Sequence, residues 1–280
     1  MKIIRLILTT YVSLTSYSLA LASELKSDPP YDYVKVPDGG HFQNQRLCPG
    51  ITLGIKSGND QISLGANGKW ITINKDDSIE PSEFIIGDLW NNRHCYVATK
   101  VAESDVNESY ELYEINPSSA PTKPKSPSLI NPEFKGGTVI SSYRDAARWH
   151  KEFLCYSVQT GSPYLCEKRT SLNDSIEKKE ICDQRSHCSS PILVSNNTDK
   201  QIMAVISTEK AFTFSQKGDK FSQNHSYLIK GDTIILVDFE DLGSNLYYRF
   251  KYEGKSKETD AWINSTEVKL LNRPVIPGGS

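Results

Sequence analysis

The sequence predicts an all-β protein built as two successive modules. Three observations carry this. Short apolar runs rich in β-branched and aromatic residues recur along the chain, each bounded by Gly, Asn or Asp turns. No stretch of useful length shows helical periodicity. Tyrosine (14) far outnumbers methionine (2), a usage that suits strands with aromatic outer faces.

The first residues set the compartment. Lys2 and Arg5 are followed by an apolar stretch from Leu6 and an A-x-A site at Ala20-Leu21-Ala22. This reads as a secretory signal peptide over 1–22, cut after Ala22. Thr and Ser dilute the stretch, and no later segment approaches the roughly 18 apolar residues of a spanning helix, so no stable membrane insertion is expected. No cysteine lies near the cut, which argues against a lipid anchor. Residues 23–46 are polar, with Pro29-Pro30 and Asp38-Gly39-Gly40, and are expected to form an extended, poorly packed lead-in. The net charge of −2 argues against a general nucleic-acid binder.

Residues 47–195 form the expected first module. Strand-like runs appear at Ile51–Ile55, Gln61–Gly65, Trp70–Ile73, Phe84–Leu89, Tyr96–Val101 and Tyr110–Ile115. Asn67-Gly68 between two of them is a strong hairpin signal. Five prolines between Asn116 and Pro132 favour extended, unpaired backbone, either a linker or a long surface loop. Further strands are expected at Thr138–Tyr143, Arg148–Val158, Tyr164–Arg169 and Pro191–Ser195, whereas Ser171–Lys179 is charged and polar.

The six cysteines are Cys48, Cys95, Cys155, Cys166, Cys182 and Cys188. An even count in an exported chain reads as three disulfides, and sequence alone leaves about 15 pairings open. Nearest-neighbour pairing is preferred. Cys155 and Cys166 flank a turn at Thr160-Gly161-Ser162-Pro163, Cys182 and Cys188 would close a small loop, and Cys48–Cys95 would staple the N-terminal region. A metal site using His94-Cys95 and His187-Cys188 is the rival. It lacks a C-x₂-C unit, and an oxidising compartment removes free thiolates. No metal or cofactor is expected.

Residues 200–272 form the second module, an evenly spaced all-β run from Gln201–Ile206 to Val268–Leu271, followed by a flexible tail at 273–280. Tyr227-Leu228-Ile229-Lys230-Gly231-Asp232-Thr233-Ile234-Ile235-Leu236-Val237, Leu246–Tyr252, Ala261-Trp262-Ile263-Asn264 and Val268–Leu271 together resemble a bacterial SH3-like domain. Ala261 departs from that pattern, which has Gly before the tryptophan. The resemblance implies a small barrel, and Trp262 and Ile263 supply bulk to fill it. Tyr247, Tyr248 and Tyr252 would either make a peptide groove or alternate between core and surface.

A second resemblance lies upstream. Phe84–Arg93, Tyr110-Glu111-Leu112-Tyr113, Asn131-Pro132-Glu133-Phe134 and Ser141–Trp149 are similar, in order and spacing, to the exported β-propeller-like inhibitors of bacterial lysozymes, some of which act as immunity proteins. The implied fold is a propeller-like or multi-hairpin N-terminal β domain plus a small SH3-like barrel, with the proline-rich stretch a loop. The family's turn often offers oxygens to Ca²⁺. Here Asp88 keeps the first position, but Trp90 and Tyr96 replace oxygen ligands and Arg93 replaces Gly, so no calcium is expected. The inhibitory Ser-Gly-x-x-Tyr becomes Asp145-Ala146-Ala147-Arg148-Trp149. The resemblance implies that Tyr143, Arg144, Asp145, Arg148 and Trp149 contact a partner's cleft, with Trp and Arg as anchors. The plain alternative is a strand with Trp149 packed inward and the arginines solvated.

Enzymatic motifs are missing. His41, His94, His150, His187 and His225 are scattered, and there is no H-E-x-x-H, G-x-S-x-G or phosphate loop. The expectation is therefore a non-enzyme of the periplasm that inhibits a peptidoglycan hydrolase or another secreted effector. The alternative is a cell-wall-binding or envelope scaffold protein acting through the SH3-like module on peptidoglycan. A hydrolase using a carboxylate pair is a third class.

Overall fold

The computed structural model describes residues 31–43, 46–79, 82–254 and 258–271, and its ordered elements are strands with one short 3₁₀ turn at Ser265–Glu267. The expected signal peptide and the tail at 273–280 lie outside the described residues. The chain is all-β and built of antiparallel hairpins, as its composition predicts. No helix among the described residues is long and apolar enough to cross a membrane.

Strand β1 (Tyr31–Val36) opens the described chain. A meander of β2 (His41–Gln43), β3 (Leu53–Ser57), β4 (Gln61–Ala66) and β5 (Lys69–Asn74) makes a four-stranded sheet. β6 (Ser82–Gly87), β7 (Cys95–Glu103), β8 (Glu108–Ile115) and β9 (Leu129–Ile130) join β1 in a second sheet ordered β1-β6-β7-β8-β9. β10 (Glu133–Lys135), β11 (Thr138–Asp145), β12 (Arg148–Ser157), β13 (Ser162–Asn173), β14 (Ile176–Ile181) and β15 (Ile192–Ser195) form a third sheet in chain order. β16 (Met203–Ile206), β17 (Lys210–Lys217), β18 (Lys220–Ile229), β19 (Thr233–Asp241), β20 (Leu246–Glu253), β21 (Glu258–Asn264) and β22 (Val268–Leu270) make a fourth, ordered β18-β17-β21-β20-β19-β16-β22. Among the described residues no ladder joins its two ends, so it is an open sheet rather than a closed barrel, and the four sheets do not form a propeller.

The second sheet is the centre of the first module because both of its faces are buried. Phe84, Ile86, Val97 and Ile115 pack against Leu53, Ile55, Ile62 and Leu64 of the β2–β5 sheet. Their neighbours Ile85, Tyr96, Ala98 and Leu112 point the opposite way, onto Val139, Leu154 and Leu165 of the third sheet. Strands buried on two faces read as continuous apolar runs, which is why Phe84-Ile85-Ile86 and Tyr96-Val97-Ala98 show little alternation. The core of the second module gathers Ala204, Ile206, Ile234, Leu236, Phe250 and Ile263, and it also takes in Ile176 and Leu193 from β14 and β15. One hydrophobic cluster therefore spans the turn at Asn196–Asp199.

All three preferred disulfides are formed, Cys48–Cys95, Cys155–Cys166 and Cys182–Cys188, and no described cysteine is free. Such bonds fit an exported chain. Asn67 and Gly68 both have positive φ (48° and 82°) in a two-residue turn between β4 and β5, the geometry their sequence signals.

Some expectations change. The lead-in is not unpacked: β1 pairs along its length with β6, and Val36 is buried. The proline-rich stretch is a loop that folds back on β8, with Thr122 and Glu114 exchanging backbone hydrogen bonds and Leu129 fully buried. Ser171–Lys179, charged and polar and not expected as a strand, is the end of β13 and the start of β14. It lacks apolar alternation because charges pair across the strands. Trp262 does not fill the second core. Ile263 does, while Trp262 stands on the opposite face with its edge to Phe221.

Candidate binding surface

The β11–β12 hairpin carries the five residues singled out in the sequence. Asp145 and Arg148 are paired in register and flank the two-residue turn Ala146-Ala147, with Ala146 at φ 50°. Register then places Arg144 opposite Trp149, and Tyr143 opposite His150. Side chains alternate between faces, so Tyr143, Asp145, Arg148 and His150 project one way and Arg144 and Trp149 the other.

The two faces have different fates. Tyr143 is half-buried, its ring stacked on His150 with centroids 5.0 Å apart, and burial together with the Glu152 charge raises its hydroxyl above the ordinary range. Arg148 turns into the protein. Its Nη2 donates to Asp241 Oδ2 at 2.7 Å, its Nη1 to the Ser171 carbonyl at 3.2 Å, and its guanidinium lies over Phe239, 4.8 Å from the ring centroid. Arg148 is thus an internal anchor to the fourth sheet. Arg144 and Asp145 are exposed, and Trp149 keeps 44% of its surface exposed. An open cavity of about 280 Å³ lies beside the indole, reaching Asn173, Asp174 and Asn196.

The other flank of the hairpin is clamped as well. Asn107, in the β7–β8 turn, accepts from the Arg144 amide at 3.1 Å and donates to the Arg144 carbonyl at 3.1 Å. Asn131 Nδ2 donates to the Ser142 carbonyl at 2.9 Å. Asn107, Asp241 and Phe239 have no signal in the sequence that ties them to the hairpin, because they meet it only through the tertiary fold.

Beneath Trp149, on the same face of the third sheet, charges form a closed network. Glu177, whose side chain is 1% exposed, pairs with Lys151 at 3.1 Å and Arg169 at 3.2 Å. Arg169 also reaches Glu167 and Asp199, and Lys179 bridges the same two carboxylates. Three cations thus face three carboxylates, a balanced arrangement that holds three strands in register.

Two other clusters are structural in their contacts. In the turn that corresponds to the inhibitor family's calcium turn, Asp88 accepts the amides of Asn92 and Arg93 at 2.8 and 2.7 Å. Trp90 is buried there and donates to the Leu154 carbonyl. Nearby, His94 Nδ1 lies 2.8 Å from Glu114 Oε1, and Asn92 donates to the Tyr96 hydroxyl. Among the described residues no three His, Cys, Asp or Glu side chains converge as a metal site. On β20, Tyr247 stacks on Phe221 at 4.1 Å, Tyr248 is buried in the second core, and the Tyr252 hydroxyl donates to Asp232. Tyr248 and Tyr252 thus face the second core while Tyr247 lies on the opposite face, so the three make no common groove.

Comparison with protein-family models, with characterised proteins and with solved structures returned no match for this chain.

Proposed function

We propose that the chain is an exported binding protein of the periplasm that inhibits a peptidoglycan hydrolase, or a related secreted effector, by inserting the β11–β12 tip into its cleft, without turning over a substrate. The observation that carries this reading is the double clamp on the tip, by Asn107 on one side and Asp241 on the other. A hairpin tip held from both sides loses little conformational freedom on binding, which favours affinity. The tip presents a cation, a carboxylate and an indole in Arg144, Asp145 and Trp149, residue types that anchor interfaces and pair with catalytic carboxylates. Arg148 supports the tip rather than contacting the partner. The resemblance of Ser141–Trp149 to the lysozyme inhibitors supplies the partner class, and the disulfides fit the compartment.

The test is hydrolysis of peptidoglycan by representative lysozymes, and by hydrolases encoded beside this gene, with and without the purified protein. Inhibition is expected, and it should fall by about tenfold or more in Trp149→Ala and Arg144→Ala at unchanged melting temperature. Absence of inhibition across these enzymes would remove the reading.

A further inference from the structure

The outer face of the β2–β5 sheet carries a feature that the hairpin reading does not use. Cross-strand register aligns Gln43, Gly54, Gly65 and Trp70 in one row over four strands. The indole of Trp70 lies flat across the two glycines. A Cβ on Gly65 would come within 2.5 Å of Trp70 Cδ2, and one on Gly54 within 2.8 Å of Cη2. Both glycines are buried under the ring, yet Trp70 itself remains 43% exposed. One indole face is therefore pressed on backbone, and the other is open to solvent apart from the Lys56 ammonium that stands over the ring.

Glycine inside a strand weakens it and marks a place of close approach. Here the close approach is made by the protein's own indole, and its effect is to lower the ring into the plane of the sheet. The adjacent row supplies polar groups around this plate: Lys56, Ser63 and Thr72 pair across β3, β4 and β5. Lys56 Nζ stands over the ring, 4.5 Å from its centroid, on a flexible stem that lets the ammonium swing to the rim when a sugar takes its place. No strand position on this face is Asp or Glu.

We infer that this face binds a carboxylate-bearing polysaccharide, one sugar ring lying on Trp70 and its carboxylate pairing with Lys56. The C–H face of a pyranose carries slight positive charge and matches the negative face of an aromatic ring. Hydroxyl and amide side chains on this sheet face suit the sugar's hydroxyls, which exchange donors and acceptors with water at little cost. The cation and the missing carboxylates select an anionic chain over a neutral one. This site is separate from the β11–β12 tip and does not rest on the inhibitor reading.

The experiment is calorimetric titration of the full chain with two probes: peptide-free glycan strands of peptidoglycan, which carry lactyl carboxylates, and neutral chitotetraose. The wild type should bind the carboxylated glycan more tightly. Trp70→Ala should weaken binding by about tenfold or more. Lys56→Ala should erase the preference for the carboxylated probe and leave chitotetraose binding unchanged. Melting curves report folding, and Trp70→Phe replaces Trp70→Ala if the latter does not fold, with a smaller loss expected. Lack of saturable binding by the wild type, equal affinity in the Trp70 variant, or a preference that survives Lys56→Ala would each overturn the inference. Hydrolase inhibition measured on the same variants should not change, so the two readings fail separately.

Discussion

Arg148 and Asp241, 93 residues apart in sequence, meet at 2.7 Å, and the contact docks the tip of the β11–β12 hairpin on the fourth sheet. The guanidinium also covers Phe239. One side chain of the expected contact set thus sets the orientation of the others. A double-mutant cycle with Arg148→Ala and Asp241→Ala should give a coupling energy of about 1 kcal/mol, the upper range for a partly exposed pair. Zero coupling in denaturant unfolding would mean that the hairpin is not docked in solution.

Ala146 occupies the left-handed region at the tip, where a Cβ costs about 1–2 kcal/mol. Ala146→Gly should therefore stabilise the fold by roughly 1 kcal/mol, less the added freedom of the unfolded chain. The measurement is the shift in urea midpoint, and a lower midpoint would contradict the turn geometry.

Glu177 is buried between Arg169 and Lys151. Arg169→Met leaves Glu177 with a single partner and Glu167 with Lys179 alone, and should destabilise by about 3 kcal/mol. Pairing it with Glu177→Leu should recover part of the loss, because the uncompensated buried charge is removed as well. A loss below about 1 kcal/mol for the single variant would show that the network is solvated.

The acid limb of stability has a defined sign. A hydrogen bond from Lys35 and the charge of Lys100 hold Glu83 below its ordinary 4.5. Burial works to raise Glu111 and Asp199, but Lys123 and Tyr113 at the first, and Lys179 and Arg169 at the second, hold each below its ordinary value. A carboxyl lowered in the folded state binds its proton more readily when unfolded, so its contribution is complete above the unfolded value and is lost as pH falls through the folded one. The urea midpoint should be flat from pH 7 to about 5 and fall steadily below 4.5. A midpoint that rises in acid would contradict these pairings.

Much of this architecture is legible in the residues. Apolar runs between turn residues place most strands, Asn67-Gly68 places a hairpin, and near-neighbour cysteines give the three disulfides. Most of these signals are local and follow from backbone sterics or from a short loop; Cys48–Cys95, 47 residues apart, is what remains once the two short loops are closed. Strands that lack them carry no such signal. Tyr31–Val36 alternates unevenly, and Ser171–Lys179 holds its place through cross-strand ion pairs, which leave no hydrophobic period.

The sequence alone determined an all-β, disulfide-stapled chain and the strands that carry the hairpin. Through its resemblance to the lysozyme inhibitors it offered Tyr143, Arg144, Asp145, Arg148 and Trp149 as one contact set. Only the tertiary structure divided that set, by giving Arg148 a carboxylate and an aromatic ring from a distant strand and leaving Arg144 and Trp149 opposite each other on the other face. The same holds for Trp70, an ordinary strand residue in the sequence, which becomes a flat exposed plate only where register brings two glycines beneath it. Local sequence fixes the period of side-chain directions, but register and sheet packing decide which direction is solvent.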